Sequence, residues 1–187
     1  MALIAIGGFP GAGKTTICRR LSSELSLPCL SSDTIGRTIE DSRGIKGGRI
    51  DAYRVAYDVL FRLCEEFIRT SASVILDLTL GWDFHWRKLD GILERHPQTQ
   101  FLPVVLQCSH ELCLERLEAR HRGMPEAYAA PAYYRDEQKV RDIWRYLQEL
   151  DRPEVCFVDA SGGEGQVYQQ VKHYVTNRIQ PAGDCFE

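Results

Sequence analysis

Apolar blocks of strand length alternate with longer segments of helical periodicity along the chain. Five apolar blocks predict strands at residues 2–6, 28–32, 72–78, 101–108 and 154–161. The segments that follow them predict helices at residues 14–25, 34–40, 51–70, 83–95, 110–121, 132–150 and 164–178. Because the strand blocks are apolar at consecutive positions, the pattern favours an α/β fold with a parallel sheet covered by helices on both faces.

The size and charge of the chain fit a globular protein. A length of 187 residues suits one domain, which we expect to span residues 1–179 before a flexible tail at residues 180–187. The net charge of -3 argues against a protein that coats nucleic acid, although a local basic site stays open. No apolar run approaches the ~20 residues that cross a bilayer, so we expect no membrane partner.

The seven cysteines bear on the cellular compartment. Their number is odd, no CxxC pair is present, and most of them lie within apolar blocks. We interpret them as buried, reduced thiols. The first residues predict a strand rather than a secretory leader, so we expect a cytoplasmic protein.

The segment GFPGAGKT at residues 8–15 fits the pattern GxxxxGK[ST] without a mismatch. Glycines allow such a loop to curl so that several backbone N–H groups meet one polyphosphate, and the helix that follows adds its positive end. Lys14 is then expected to reach the outer phosphates, and the Thr15 hydroxyl to bind Mg²⁺. The dinucleotide pattern GxGxxG is not met, which disfavours a nicotinamide protein.

Two carboxylates follow predicted strands at the edge of the sheet where ligands bind in such folds. Asp33 could accept the proton of an attacking hydroxyl, hold the acceptor in line or bind Mg²⁺, and it could also cap the helix at 34–40. Asp77 ends the apolar run SVILD, as a Walker-B-like metal ligand does, or is a turn residue at a strand end. Arg37 and Thr79 lie nearby in sequence.

Two arginines lie one helical turn apart before a segment rich in small residues and proline. Arg116 and Arg120 share a helix face and could close over a transferred phosphoryl group. The alternative is a pair of solvent-facing arginines that bind Glu115 and Glu118. Likewise, four aromatic side chains could line an acceptor pocket or pack in the core: Tyr53, Tyr57, Trp82 and Trp86.

The order of these motifs resembles that of the small P-loop kinases. The glycine loop, SSD with an arginine after it, VILDLT, ERLEARHRG and VDASG are similar to the AAA_33-type kinase-like proteins. That group includes the kinase domain of phage polynucleotide kinase, chloramphenicol phosphotransferase and zeta-toxin relatives. Gluconate, shikimate and nucleoside monophosphate kinases are more distant.

The resemblance implies a three-layer P-loop NTPase fold with the strand order 2-3-1-4-5 and a small lid at about 120–135. It implies that ATP and Mg²⁺ are bound by Gly8, Phe9, Pro10, Gly11, Ala12, Gly13, Lys14, Thr15 and Thr16. Asp33 would activate the acceptor and Arg37 would lie on the acceptor side. Arg120, with Arg116, would belong to the lid, and residues 77–79 would match a segment of varying role.

Three functions follow from the sequence. The first is an ATP- and Mg²⁺-dependent kinase that phosphorylates a hydroxyl of a small molecule, nucleoside, nucleotide, sugar or nucleic-acid end. The second is a nucleotide-dependent ATPase or switch without a small acceptor. The third is a module that binds nucleic acid, which the acidic net charge disfavours. Since the chain has no NKxD-type guanine motif, we expect ATP rather than GTP.

Overall fold

The computed structural model describes residues 1–43, 52–122 and 137–179. The sheet within these ranges has five strands: β1 (Ala2–Gly8), β2 (Cys29–Ser31), β3 (Val74–Asp77), β4 (Gln100–Gln107) and β5 (Cys156–Asp159). They are parallel and lie in the order β2-β3-β1-β4-β5, which confirms the predicted topology. β1 is buried along its whole length because it lies between β3 and β4 under helices.

The same ranges contain seven helices: α1 (Lys14–Leu25), α2 (Ser32–Arg43), α3 (Ala52–Arg69), α4 (Asp83–Arg95), α5 (His110–His121), α6 (Glu137–Gln148) and α7 (Glu164–Thr176). α1 packs against α7, and α3 packs against α4, in a three-layer α/β arrangement. The predicted tail at 180–187 and most of the predicted lid at about 120–135 lie outside the described residues. Within these ranges, none of the helices combines the length and apolar character that a membrane span requires.

The start of α2 differs from the prediction in a way that bears on Asp33. The helix predicted at 34–40 begins at Ser32, so Asp33 lies in the first turn of α2 and does not precede it as a cap. A carboxylate in the first turn still faces the positive end of the helix. The reason for the difference is local, because the polar pair Ser32–Asp33 carries no apolar periodicity that would mark a helix start.

Strand register brings the polar ends of the strands together. Asp77, the last residue of β3, pairs with Ser31 at the end of β2 and with Ile6, two residues before the end of β1. Gly8, the last residue of β1, donates its backbone N–H to the carbonyl oxygen of Thr79 at 2.9 Å. The glycine loop that follows β1 therefore starts beside Asp77.

Candidate functional site: the phosphate loop and its carboxylates

Residues 8–15, called the phosphate loop below, adopt a conformation that requires glycine. Gly11 has φ 89° and Gly13 has φ 96°, in the left-handed region that side chains disfavour. A Cβ atom on Gly11 would lie 2.3 Å from the carbonyl oxygen of Cys113 in α5. The loop turns tightly, with the N–H of Ala12 bonded to the carbonyl oxygen of Phe9 at 3.1 Å. The sequence pattern therefore predicts the backbone of this loop correctly.

The loop leads into the positive end of α1. The N-cap residue of α1 is Gly13, so no side chain occupies the N–H groups at this end of the helix. The first turn of α1 also contains no acidic residue. The N–H groups and helix dipole at this end suit an anion. Lys14 is half-buried and donates from Nζ to the carbonyl oxygen of Phe9 at 3.1 Å, so its ammonium group lies against the loop.

Thr15 and Asp77 meet beside this loop. The Thr15 Oγ1 donates to Asp77 Oδ2 at 2.8 Å, and Asp77 is only 4% exposed. A hydroxyl and a carboxylate oxygen are hard ligands of the kind that Mg²⁺ prefers, with phosphate oxygens and waters completing its shell. The two predicted ligands thus lie close enough to share one ion, and their donor atoms fit it.

Asp33 lies in the same electrostatic surroundings. Burial raises the pKa of the Asp33 carboxyl above its usual value, and the negative charge of Asp77 adds to the increase. The cations Lys14, Arg37 and Arg120 act in the opposite direction and lower that pKa. The structure therefore brings these five predicted residues into one charged region, with Asp33 as the group on which the others act.

Three hydroxyl side chains near the two carboxylates interact with one another: Tyr57, Thr79 and Ser32. Burial raises the pKa of Tyr57 to about 12, while hydrogen bonds to the side chains of Thr79 and Ser32 oppose that increase. Ser32 also donates to the carbonyl oxygen of Asp77 at 3.4 Å. Ser32 was not among the residues predicted from the sequence, although its position directly before Asp33 indicated that it lies near the site. Tyr57 and Trp86 are both in the core, and Trp86 donates from its indole nitrogen to the Leu80 carbonyl oxygen at 3.1 Å.

The two arginines of α5 lie in different surroundings. The guanidinium of Arg116 donates to the carbonyl oxygens of Ala160 at 2.9 Å and Gly162 at 3.4 Å, both in the loop between β5 and α7. Arg120 is exposed near the end of α5 and lowers the pKa of Asp33. The expected contact of either arginine with a phosphoryl group stays a prediction.

Three aromatic rings connect the phosphate loop to α6. Phe9 contacts Trp144 edge-on with 5.0 Å between ring centroids, and His110 lies 5.4 Å from Phe9 and 5.1 Å from Trp144. Edge-to-face pairs of this kind are favourable packing geometries. A movement of α6 would therefore be transmitted to the loop through Phe9.

Comparison with known proteins places the chain in a family. The model of the AAA_33 family, described as an AAA domain, matches residues 3–141, which is more than half of the chain. The chain belongs to this AAA domain family. The matched range includes the phosphate loop, both carboxylates and both arginines of the site.

Proteins similar to this chain are named as kinases of several kinds. The chain is 26% identical to an adenylate kinase from Cyanothece sp. over 94% of its own length and 95% of the other chain. It is 44% identical to a cytidylate kinase from Pyrobaculum islandicum over 45 residues, so it matches 24% of that protein's length. A sugar kinase from Janibacter sp. superposes with a TM-score of 0.63 at 18% identity, over 94% of this chain and 95% of that one, and therefore shares the fold.

Proposed function

We propose that the protein transfers the γ-phosphoryl group of ATP to a hydroxyl group of a small-molecule, nucleoside, nucleotide or sugar-type acceptor. The observation that carries the proposal is the position of Asp33. Asp33 directly follows Ser32, which bonds to the Asp77 carbonyl oxygen, and its carboxyl is within electrostatic reach of Lys14, Asp77, Arg37 and Arg120. A phosphate-binding loop beside a partly buried carboxylate is what phosphoryl transfer to a hydroxyl requires.

The binding residues follow from this arrangement. The backbone N–H groups of residues 8–16 and the Lys14 ammonium would bind the phosphates of ATP. Thr15 and Asp77 would hold Mg²⁺. Bound Mg²⁺ neutralises charge on the phosphate oxygens. Arg37, Asp77 and Thr79 would contact the acceptor.

Asp33 is proposed as the base. Burial raises the pKa of the Asp33 carboxyl, and a carboxylate with a raised pKa is a stronger proton acceptor than an ordinary one. It would hold the acceptor hydroxyl in line and take its proton as the new P–O bond forms. Arg116 and Arg120 are proposed to stabilise the charge on the transferred group.

The acceptor can be named by experiment. ADP formation from Mg-ATP would be measured with nucleosides, nucleoside monophosphates, sugars, sugar acids, hydroxylated antibiotics and 5′-hydroxyl oligonucleotides. The monophosphates and sugars are included because relatives are named as adenylate, cytidylate and sugar kinases. Lys14→Ala is the inactive reference, and Lys88→Ala is the matched control because Lys88 is exposed and binds Asp58.

The outcomes separate the proposed function from its alternative. Strong stimulation by one acceptor class, lost in Lys14→Ala and kept in Lys88→Ala, would support the kinase and identify its substrate. A flat panel with Lys14-dependent binding of ATP would contradict the transferase and favour a nucleotide-dependent ATPase or switch. The absence of any nucleotide binding would contradict both.

A further inference from the structure

Two thiols lie side by side where β4 leads into α5. Cys108 directly follows β4, Cys113 lies in the first half of α5, and their Sγ atoms are 2.8 Å apart. Cys108 is partly exposed, whereas Cys113 is fully buried. A small oxidant from solvent would therefore meet Cys108 first, with Cys113 in contact behind it.

The surroundings distinguish the two thiols chemically. The hydrogen bond between the two thiols lowers the pKa of Cys108 to about 7. The cations Arg116 and Lys14 also lower this pKa, whereas burial and Asp159 raise it. The same hydrogen bond, followed by burial, raises the pKa of Cys113. Cys108 is thus the more acidic of the two thiols, and the thiolate is the reactive form of cysteine.

Backbone contacts connect this pair to the nucleotide site. The carbonyl oxygen of Cys113 lies so close to Gly11 that a Cβ atom there would be 2.3 Å from it. Arg116, which is 4.0 Å from the Cys108 Sγ, holds the carbonyl oxygens of Ala160 and Gly162. A change at the thiol pair would therefore reach the phosphate loop on one side and the loop between β5 and α7 on the other.

We propose that Cys108 and Cys113 form an oxidisable pair that hydrogen peroxide converts into a disulfide, and that this disulfide weakens nucleotide binding at the phosphate loop. The Cys108 thiolate attacks one peroxide oxygen, the O–O bond breaks, and a sulfenic acid and hydroxide form. The Cys113 sulfur then attacks the sulfenic sulfur and loses its proton, and the S–O bond breaks to release water. Peroxide accepts the two electrons, and a thiol reductant reverses the change.

Formation of the disulfide and its effect on nucleotide binding can be tested separately. Formation of the disulfide depends only on the two thiols and peroxide. Its effect on nucleotide binding rests on the proposed function, because it assumes that the phosphate loop binds ATP. The S–S bond of about 2.05 Å needs the sulfur atoms to approach by less than about 1 Å. That movement would pull the first turns of α5 relative to Gly11.

Peptide mass analysis tests whether the disulfide forms. Trypsin should release residues 96–116, a peptide whose cysteines are Cys108 and Cys113. After peroxide, we expect this peptide to be two hydrogen masses lighter and resistant to alkylation, and to recover after treatment with dithiothreitol. In Cys113→Ser the reaction should stop at Cys108 sulfenic acid, which a cyclic 1,3-diketone traps. Cys108→Ser should form neither product.

Measurements of nucleotide binding test whether the disulfide weakens the affinity for Mg-ATP. We expect peroxide to weaken Mg-ATP binding by the unmodified protein about tenfold, the size of an ordinary coupling between two sites. Cys108→Ser and Cys113→Ser should not show the decrease that requires the disulfide. Cys156→Ser is the matched control and should respond like the unmodified protein, since Cys156 lies on β5. Cys29→Ser removes a second hydrogen-bonded thiol pair, Cys29 with Cys18, and should also respond like the unmodified protein if only Cys108 and Cys113 form the disulfide.

Different outcomes would overturn the oxidisable pair and its link to nucleotide binding. Two free thiols in the peptide after peroxide, or a disulfide that instead requires Cys29, would overturn the oxidisable pair. An equal loss of affinity in Cys108→Ser would overturn the link to nucleotide binding. If the reduced protein binds no nucleotide, the proposed function and that link both fail, while the mass analysis still decides the chemistry of the pair.

Discussion

The Asp33 carboxyl lies partly buried in the first turn of α2, among the three cations Lys14, Arg37 and Arg120 and near the second carboxylate Asp77. Burial dominates, and the pKa is raised. A carboxylate that acts as a base loses that function when the pH falls through its raised pKa. The surroundings of this residue therefore give the proposed reaction a testable dependence on pH.

Asp33→Asn should lower the turnover rate by about 10²–10⁴-fold, because the amide cannot accept the proton of the acceptor. ATP affinity should stay nearly unchanged, since the phosphate loop is intact. In the unmodified protein, turnover should decline toward acid with a midpoint above the usual pKa of an aspartate. Steady-state rates across pH, together with calorimetric ATP binding, measure both effects.

Asp41→Asn is the matched control for this change, because Asp41 is an exposed carboxylate on the same helix. It should leave both the turnover rate and its pH dependence unchanged. If Asp33→Asn keeps most of its activity, the assignment of the base is wrong.

His85 gives a second prediction at the residue scale. Its side chain is fully buried beside the rings of Tyr57 and Phe84, and among the described residues neither ring nitrogen has a hydrogen-bond partner. Burial lowers its pKa to about 3. The unfolded chain therefore takes up a proton below about pH 6.5 that the folded protein does not.

His85→Leu should remove this part of the acid sensitivity. Between about pH 6 and pH 4, the free energy of unfolding of the unmodified protein should decrease by about 1.4 kcal/mol per pH unit more than that of the variant. Urea unfolding at several pH values measures the difference. His173→Gln, at an exposed position, should behave like the unmodified protein, and an equal slope in His85→Leu would contradict the burial argument.

At the scale of elements, the apolar blocks of β1, β3 and β4 were predictable because these strands are largely buried in the middle of the sheet. Pro103 lies inside β4 despite its missing N–H, since the pairing with β5 begins only at Val104. Contacts between elements were not predictable in this way. Cys108 and Cys113 form no known motif. Tyr57 is in the core, and its contact with Thr79 was not predictable because only the folding of the chain brings the two residues together.

Gly11→Ala tests the contact between the phosphate loop and α5. The added Cβ would meet the Cys113 carbonyl oxygen, and φ 89° is unfavourable for alanine. We expect the free energy of unfolding to decrease by about 1–3 kcal/mol and Mg-ATP binding to be lost. Denaturant titration and calorimetry measure the two effects.

Gly163→Ala is the matched control for Gly11→Ala. Gly163 has φ -66°, and a Cβ atom there would meet no atom within 4 Å. It should fold and bind nucleotide like the unmodified protein. Retained nucleotide binding in Gly11→Ala would mean that the loop can move away from α5, against the close packing described above.

At the scale of the whole molecule, the strand order places β1 between β3 and β4, and the phosphate loop leaves from this central strand. The loop contacts α5 through Gly11, α6 through Phe9 and β3 through Thr15. A ligand held there contacts parts of the chain that are distant in sequence. Binding should therefore stabilise the global fold rather than one segment.

Mg-ATP should raise the free energy of unfolding by about 2.7 kcal/mol at a concentration of 100 times its dissociation constant, because it binds only the folded state. Thermal unfolding with increasing Mg-ATP measures this effect. Lys14→Ala should show no such increase at the same concentrations, whereas Lys88→Ala should show the full increase. Equal stabilisation of all three proteins would argue against binding at the phosphate loop.

The contact between Phe9 and Trp144 also gives the molecule an optical signal. Indole emission depends on the polarity and packing around the ring, and Trp144 is half-buried against the phosphate loop whereas Trp86 lies in the core. A variant with Trp82 and Trp86 replaced by phenylalanine would fluoresce from Trp144 alone. Stopped-flow mixing of that variant with Mg-ATP would then follow the arrival of nucleotide in real time, without a label.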